Sequence, residues 1–410
     1  MTPSRRSIAL TLGLFAALHS TLAAPAPLPT VIQGLPGAVQ PIAPGYRAGQ
    51  ALPTLTLGTA IPGVRKIEYL SNGFIEVAHV LIMVPAGRQQ DTAALRLAQQ
   101  AAAATFLTRP SLAEVDVSVY SSGRYAGFGG PPPLLTASVP AARRGDFARL
   151  FLSTLGTYDR AWLASTAQPI RPSPAEAYEG PEAVPTYDGS ARQTLIQRLA
   201  QKLSGLQGSR TDGSVFYQGG PASRQIALTF DDGVHPLYEP LILDALRRSG
   251  ARATFFIVGR NALAYPYFVR DLVAQGHEVA NHTYHHVRLP SLSAAAMRDE
   301  LSSTDVILTG LTGQDVRFFR PPGGRFSARV LAVARSEGLT TAMWTDDPGD
   351  FNNVGQVVVE TRLLSHLRPG GIVLLHENVP DTIKIMGDFV NDARTSGYQL
   401  VTLAQMAGPK

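Results

Sequence analysis

Residues 226–259 read "IALTFDDGVHPLYEPLILDALRRSGARATFFIVG". An apolar run of strand length, "IALTF", precedes a helical pattern, "PLYEPLILDALRRSG", and a second apolar run, "ATFFIVG". Short apolar runs bounded by Gly and polar residues fit buried strands, and the longer stretch between them fits a helix. The alternation continues with the strands "EVANH", "RFFRPP", "TTAMWT", "GIVLLHE" and "QLVTL", and with the helices "SARVLAVARSEG" and "TIKIMGDFVNDARTSG". Such a pattern predicts an α/β fold, with a parallel sheet open or closed into a barrel. Seven strands do not complete an eightfold barrel, so a distorted (β/α) barrel is expected. Polar residues collect at the C-terminal ends of these strands, where barrel enzymes place their sites.

The first strand ends in "TFDDG". Adjacent carboxylates Asp231 and Asp232 repel unless a cation or separate roles keep them apart. The third ends in "NHTYHH", and seven of the nine histidines of the chain lie between His235 and His376. His282 and His286 are four apart, a spacing that on one helical turn turns both rings to the same side, with His285 pointing elsewhere. Taken singly, the first stretch reads as an Asp-Asp-Gly turn, and the second equally as a surface histidine cluster. Together, Asp232, His282 and His286 make a metal triad that leaves one coordination position for water, as in catalytic zinc sites. Iron, cobalt or nickel would suit the same donors. Later strand ends deliver Arg320 from "FRPPGG", Asp347 and Asp350 from "DPGDF", and His376 from "LLHEN". Buried Arg, Asp and His are each costly without partners, so several together imply a network. His376 is placed opposite the Asp231 strand in barrel order, with Asp350 as the group that orients its ring.

The chain has 410 residues, 45% hydrophobic, with a formal net charge of +5 and no cysteine. That length favours two domains. The mild positive charge suits an acidic polymer or wall surface, and dense basic runs for nucleic acid are absent. Without cysteine there is no disulfide framework and no thiol nucleophile or ligand. Residues 1–24 read as a signal peptide: Arg5 and Arg6 precede "IALTLGLFAAL", and small residues follow in "TLAAPA". The run is short for a bilayer, so no stable membrane span is expected after removal, and a secreted or cell-envelope location follows. "SRRSIAL" leaves both the general and the twin-arginine export routes open.

Residues 25–55 form a Pro/Ala-rich leader. Residues 56–168 read as a small α+β domain, with strand "VAHVLIMVP" (77–85), helix "DTAALRLAQQAAAATFL" (91–107) capped by Asp91, and half-buried strand "VDVSVY" (115–120). Strand "LLTASVP" and helix "RGDFARLFLSTL" complete it. No catalytic constellation is apparent there, and His79, inside an apolar strand, is assigned to packing. A binding or spacing role suits this domain better than a second activity. Residues 169–222 are a linker and helix, and 223–408 form the second domain.

Five blocks in order, "TFDDG", "HTYHH", "RPPGG", "DPGDF" and "LLH", make residues 224–405 resemble the polysaccharide deacetylases of carbohydrate esterase family 4. The resemblance implies a distorted (β/α) barrel that removes N-acetyl groups from N-acetylglucosamine-containing polysaccharide with a divalent metal, zinc first. It implies Asp231 as catalytic base, Asp232, His282 and His286 as metal ligands, and Arg320 as the residue that orients the base. His376 matches the general acid, Asp350 tunes it, Leu374 lines the pocket for the acetyl methyl, and the main-chain N–H of Gly323 helps hold the oxyanion. Gly323 stands where family members often carry Tyr, and Phe351 where Trp is frequent, which implies a wider groove. Peptidoglycan is the first substrate expected and chitin-type glycan the next. An O-acetyl esterase on xylan-like glycan and a non-catalytic glycan-binding wall protein are the competing readings.

Overall fold

The structure, a computed structural model, describes residues 51–87, 90–122, 125, 130–166 and 215–409. The signal peptide, the leader up to residue 50, and the linker and helix up to residue 214 lie outside the described residues.

The N-terminal unit is a five-stranded sheet in the order β1-β2-β3-β4-β5: Val64–Ser71, Glu76–Val84, Glu114–Ser121, Leu135–Pro140 and Ala161–Leu163. Helix α1, Gln90–Thr108, connects the parallel pair β2 and β3. It buries Ala94, Leu95, Ala98, Ala101, Ala102 and Phe106 in one core with Val80, Ile82, Val115 and Val117. Small alanines on that face let the helix lie close to the sheet. Asp91 sits inside the first turn, where a carboxylate complements the helix dipole, and accepts from Ser165 Oγ at 2.7 Å. β1 was not foreseen, and residues 53–55 of the expected leader pair along it, Leu55 N donating to Ile67 O at 2.9 Å. The expected helix over 144–155 is broken. Only α2, Arg144–Ala148, is α-helical, and a 3₁₀ segment spans Leu152–Thr157. Thr154 Oγ1 accepts from Phe151 N at 3.0 Å, a local bond that competes with helix continuation.

The expectation of a half-buried β3 is corrected. Every residue from Val115 to Ser121 is buried, because the second face of the sheet packs on the C-terminal unit. Alternation marks which side chains share a face, but it does not show whether a second layer covers that face.

The C-terminal unit runs β6 (Val215–Phe216), β7 (Gln225–Gly233), α3 (Glu239–Ser249), β8 (Thr254–Ile257), α4 (Gly259–Ala264), α5 (Pro266–Ala274), β9 (Glu278–Asn281), α6 (Ala294–Thr312), β10 (Phe318–Phe319), α7 (Ala328–Ser336), β11 (Thr340–Ala342), α8 (Gln356–His366), β12 (Gly371–His376), α9 (Pro380–Thr395), β13 (Gln399–Val401) and α10 (Leu403–Ala407). All strand pairs are parallel. β7 is the hub. β12 pairs along one edge, and the other edge carries β13 beside its first residues and β8 beside its last. From β8 the order continues β9-β10-β11-β6. β10 is only two residues long, since Pro321 and Pro322 have no N–H to extend the ladder. Past β11, the parallel bridge Asp346↔Val373 ties the chain back to β12, with Leu374 N donating to Asp346 O at 2.9 Å. The sheet thereby curls into a distorted (β/α) barrel.

Period-two alternation sorts the strands. Ile226, Leu228, Phe230, Val373 and Leu375 pack in one core cluster with the helices. Ala227, Ile372 and Leu374 pack in the other. Thr229, Asp231 and His376 share the parity of this second set, which directs them to the barrel interior.

Candidate active site

Asp231 and Asp232 end β7 and are both buried. The register against β8 shifts between Phe230 and Gly233, and Asp232 takes the left-handed φ of 73°. Asp tolerates that region better than most residues. The twist brings the second carboxylate to the same side as the first: Asp231 Oδ2 lies 3.8 Å and Asp232 Oδ1 3.5 Å from His282 Nε2.

His282 and His286 converge, but not on a helical turn. Residues 282–286 form a loop after β9 in which Thr283 (φ 65°) and His286 (φ 59°) are left-handed. Their ring centroids lie 4.9 Å apart, and His286 Nε2 is 3.0 Å from Asp232 Oδ1. His282 Nδ1 donates to Arg320 O at 2.8 Å, which turns Nε2 toward Asp232 as the ring nitrogen able to bind a cation. His285 turns away: its Nδ1 lies 2.7 Å from Glu300 Oε1, while Glu300 Oε2 accepts from the backbone N–H of Tyr284 and His285. Glu300, on α6, thus anchors the loop. Nothing in the sequence around it signalled this role.

Arg320 is fully buried in the barrel. Nη1 donates to Asp231 Oδ1 at 2.7 Å and to Thr229 Oγ1 at 2.8 Å, and Nη2 to Met343 O at 3.1 Å. The guanidinium lies 4.0 Å from the Phe256 ring centroid. Burial draws the group below its ordinary pKa, with Asp231 opposing. Replacing a buried ion pair by apolar residues is often neutral or stabilising by about 1–4 kcal/mol, so stability alone does not account for this pair. It fixes the carboxylate of Asp231.

His376 lies beside Asp231, not across the barrel from it: the two are direct partners in the β12–β7 register. Its Nδ1 donates to Asp350 Oδ1 at 2.9 Å and its backbone N to Asp350 Oδ2 at 2.7 Å. Thr382 Oγ1 and Phe351 N complete the shell of Asp350. Burial pulls the imidazole pKa down, but the Asp350 charge and hydrogen bond, with Asp232 and Asp231, outweigh it and raise it to about 10. Asp347, in contrast, serves its own turn by accepting from Gly349 N at 2.9 Å, and burial followed by Asp350 raises it to about 6.

Leu374 is buried two residues before His376, on the same side of β12. Gly323, half-buried, has the left-handed φ of 63° within the turn Pro322–Gly324. Phe351 packs edge-on against His376 at 4.7 Å between ring centroids.

Among the described residues, Asp232, His282 and His286 form the one group whose ligand atoms all lie within 4.8 Å of one another. Two imidazole nitrogens and one carboxylate fit a divalent cation, and the fixed tautomer of His282 fits it too. The two histidines hold Asp232 well below the usual carboxylate range despite its burial, so this carboxylate stays ionised.

A family model described as polysaccharide deacetylase matches residues 218–342. The peptidoglycan-N-acetylglucosamine deacetylase of Bacillus cereus is 32% identical over 186 residues, 44% of this chain and 87% of its own. The chain belongs to the polysaccharide deacetylases, carbohydrate esterase family 4. The chitooligosaccharide deacetylase of Sinorhizobium fredii is 39% identical over 165 residues, 39% of this chain and 75% of its own. The structure of Bacillus subtilis PdaA, a family 4 carbohydrate esterase, superposes with a TM-score of 0.46 at 28% identity, over 51% of this chain and 88% of that one. The deacetylase match begins at residue 218 and leaves the N-terminal sheet unaccounted for. No helix among the described residues is long and apolar enough to cross a membrane.

Proposed function

We propose that this chain is a metal-dependent hydrolase that removes N-acetyl groups from N-acetylglucosamine-containing polysaccharide outside the cytoplasm. Peptidoglycan is the first substrate and chitin-type glycan the next. The observation that carries this reading is the juxtaposition of the Asp232–His282–His286 cluster with Asp231 and His376, two strand-end partners held by Arg320 and Asp350.

Asp232, His282 and His286 would hold the divalent cation, zinc first. When bound, it supplies Lewis-acid polarisation of the carbonyl and acidifies water. Asp231 takes the proton of the attacking water through Oδ2, since Oδ1 is held by Arg320. The Gly323 N–H helps hold the developing oxyanion, and Leu374 lines the pocket for the methyl group. His376, with Nδ1 committed to Asp350, carries the proton for the departing amine on Nε2. A raised imidazole pKa keeps that proton in place at neutral pH.

The test is acetate release from peptidoglycan, chitin oligomers and acetylxylan by full-length protein, before and after chelation and zinc return. Metal-dependent release from the amide-linked glycans is expected. Release from acetylxylan alone, or turnover that survives chelation, would sink the reading.

A further inference from the structure

The open face of the N-terminal sheet is not available to an external ligand. In β2, β3 and β4 it presents Val77, His79, Asp116, Ser118, Tyr120, Thr136 and Ser138, which the barrel covers. Val77 belongs to the core cluster of the barrel. Ser118 Oγ lies 3.0 Å from Tyr265 Oη, Thr136 Oγ1 donates to Ala264 O, and Arg160 pairs with Asp271 at 2.6 Å. A glycan-binding role on this face is thereby excluded.

One contact of this interface reaches the catalytic strand end. His79 Nε2 is bonded to Ser118 Oγ at 2.8 Å, and its ring meets that of His235 at 6.1 Å between centroids, nearly perpendicular. His235 also packs edge-on against Tyr238 at 4.7 Å, and its Nδ1 accepts from Leu237 N at 3.1 Å. Its backbone N–H donates to Glu377 Oε1 at 2.5 Å. Glu377, the residue after His376, is fully buried, and its own N–H donates to Asp231 O at 3.1 Å. Glu377 therefore grips the β7 end at two points, Asp231 and His235, and the second is backed by a ring from the N-terminal unit.

We propose that the N-terminal unit positions the catalytic strand end of the barrel: His79, anchored by Ser118, wedges His235 so that its N–H holds Glu377 and keeps Asp231 in register with His376. His79 and His235 are positioning residues and touch no reacting group. A displacement of about 1 Å at a reacting group costs up to about 10²-fold in rate, so a ring contact outside the site has enough leverage to matter. The functional part of this inference rests on the deacetylase reading, whereas its structural part does not.

Four full-length variants test it, by hydrogen exchange of segment 231–238 and by kcat and KM for acetate release. His79→Ala is expected to speed exchange of the His235 amide and lower kcat, each about tenfold, with KM unchanged. His79→Phe, which keeps a ring against His235 but not the bond to Ser118, should restore most of both and match Ser118→Ala. Ser118→Ala, which unties the ring and also removes the contact with Tyr265 Oη, should shift both in the same direction by less, and it serves if His79→Ala does not fold. Phe74→Ala removes another contact between the units, the Arg248 guanidinium 4.3 Å from its ring centroid, and should leave both readouts alone. Unchanged exchange in His79→Ala and Ser118→Ala overturns the proposal, as does an equal effect from Phe74→Ala. A wild type that releases no acetate would refute the deacetylase reading, and the exchange data would still judge the wedge.

Discussion

Replacing Asp350 by Asn probes the proton on His376. Asp350 accepts four hydrogen bonds: His376 Nδ1 and Phe351 N on Oδ1, His376 N and Thr382 Oγ1 on Oδ2. An asparagine keeps one oxygen, which the His376 ring and Phe351 N would hold. Its NH₂ then faces Thr382, whose hydroxyl can rotate to accept, and His376 N, which cannot. One buried donor left unpaired costs about 1–3 kcal/mol of stability. The bond to Nδ1 loses its charge, and charged bonds exceed neutral ones by about 1–2 kcal/mol. At about 1.36 kcal/mol per pH unit, the imidazole pKa should drop by about one unit. The sign follows from its raised value: the protonated form stabilises the fold fully below the ordinary histidine pKa, and that contribution is lost as pH rises through about 10. Part of the rise comes from Asp232 and Asp231, so a bound cation will bring the limit below 10 in the loaded enzyme. The assay is kcat/KM against pH on an N-acetylglucosamine oligomer, with metal content and melting temperature measured in parallel. Asp350→Asn should move the alkaline limit down by about one unit and retain the metal. An unmoved limit in a folded, metal-loaded variant would show that His376 does not supply the proton.

His282→Ala and His286→Ala should each abolish metal retention. His285→Ala should keep the metal and lower the melting temperature, because it loses the Glu300 anchor; metal analysis and thermal unfolding decide this, and equal metal loss in all three would refute the triad. Asp231→Asn should cut turnover by about 10²–10⁴-fold with metal retained, whereas Asp232→Asn should lose the metal. A loss of only a few-fold in Asp231→Asn would show that another group takes the proton. Gly233→Ala should displace Glu377, whose carboxylate occupies the space of the added Cβ, and so release His235 N. Its melting temperature should fall, and an unchanged value would mean the loop absorbs the methyl freely.

The sequence by itself determined which residues end the barrel strands. Seven of the eight described barrel strands follow from local apolar runs, which are properties of the chain and not of its partners, whereas which face of each strand turns inward was read from the structure. Asp231, Asp232, His282, Arg320 and His376 of the proposed site were legible as polar groups at the ends of apolar strands, whereas His286 stands in the loop past β9 and Asp350 in a 3₁₀ turn past β11, not at the strand ends expected for them. Only the tertiary structure decided strand order. It put β12 beside β7, so that Asp231 and His376 are register partners, and closed the sheet through the bridge at Asp346. Parallel pairing joins residues far apart in the chain, as His376 and Asp231 are, and no local period encodes which strand becomes whose neighbour. The "HTYHH" spacing suggested a helical turn, yet left-handed Thr283 and His286 bring the rings together in a loop held by the distant Glu300. The two-residue strand β6 and the covered second face of the N-terminal sheet were likewise invisible. Each exists because another part of the chain packs there, and burial against a partner leaves no mark in the residues' own periodicity.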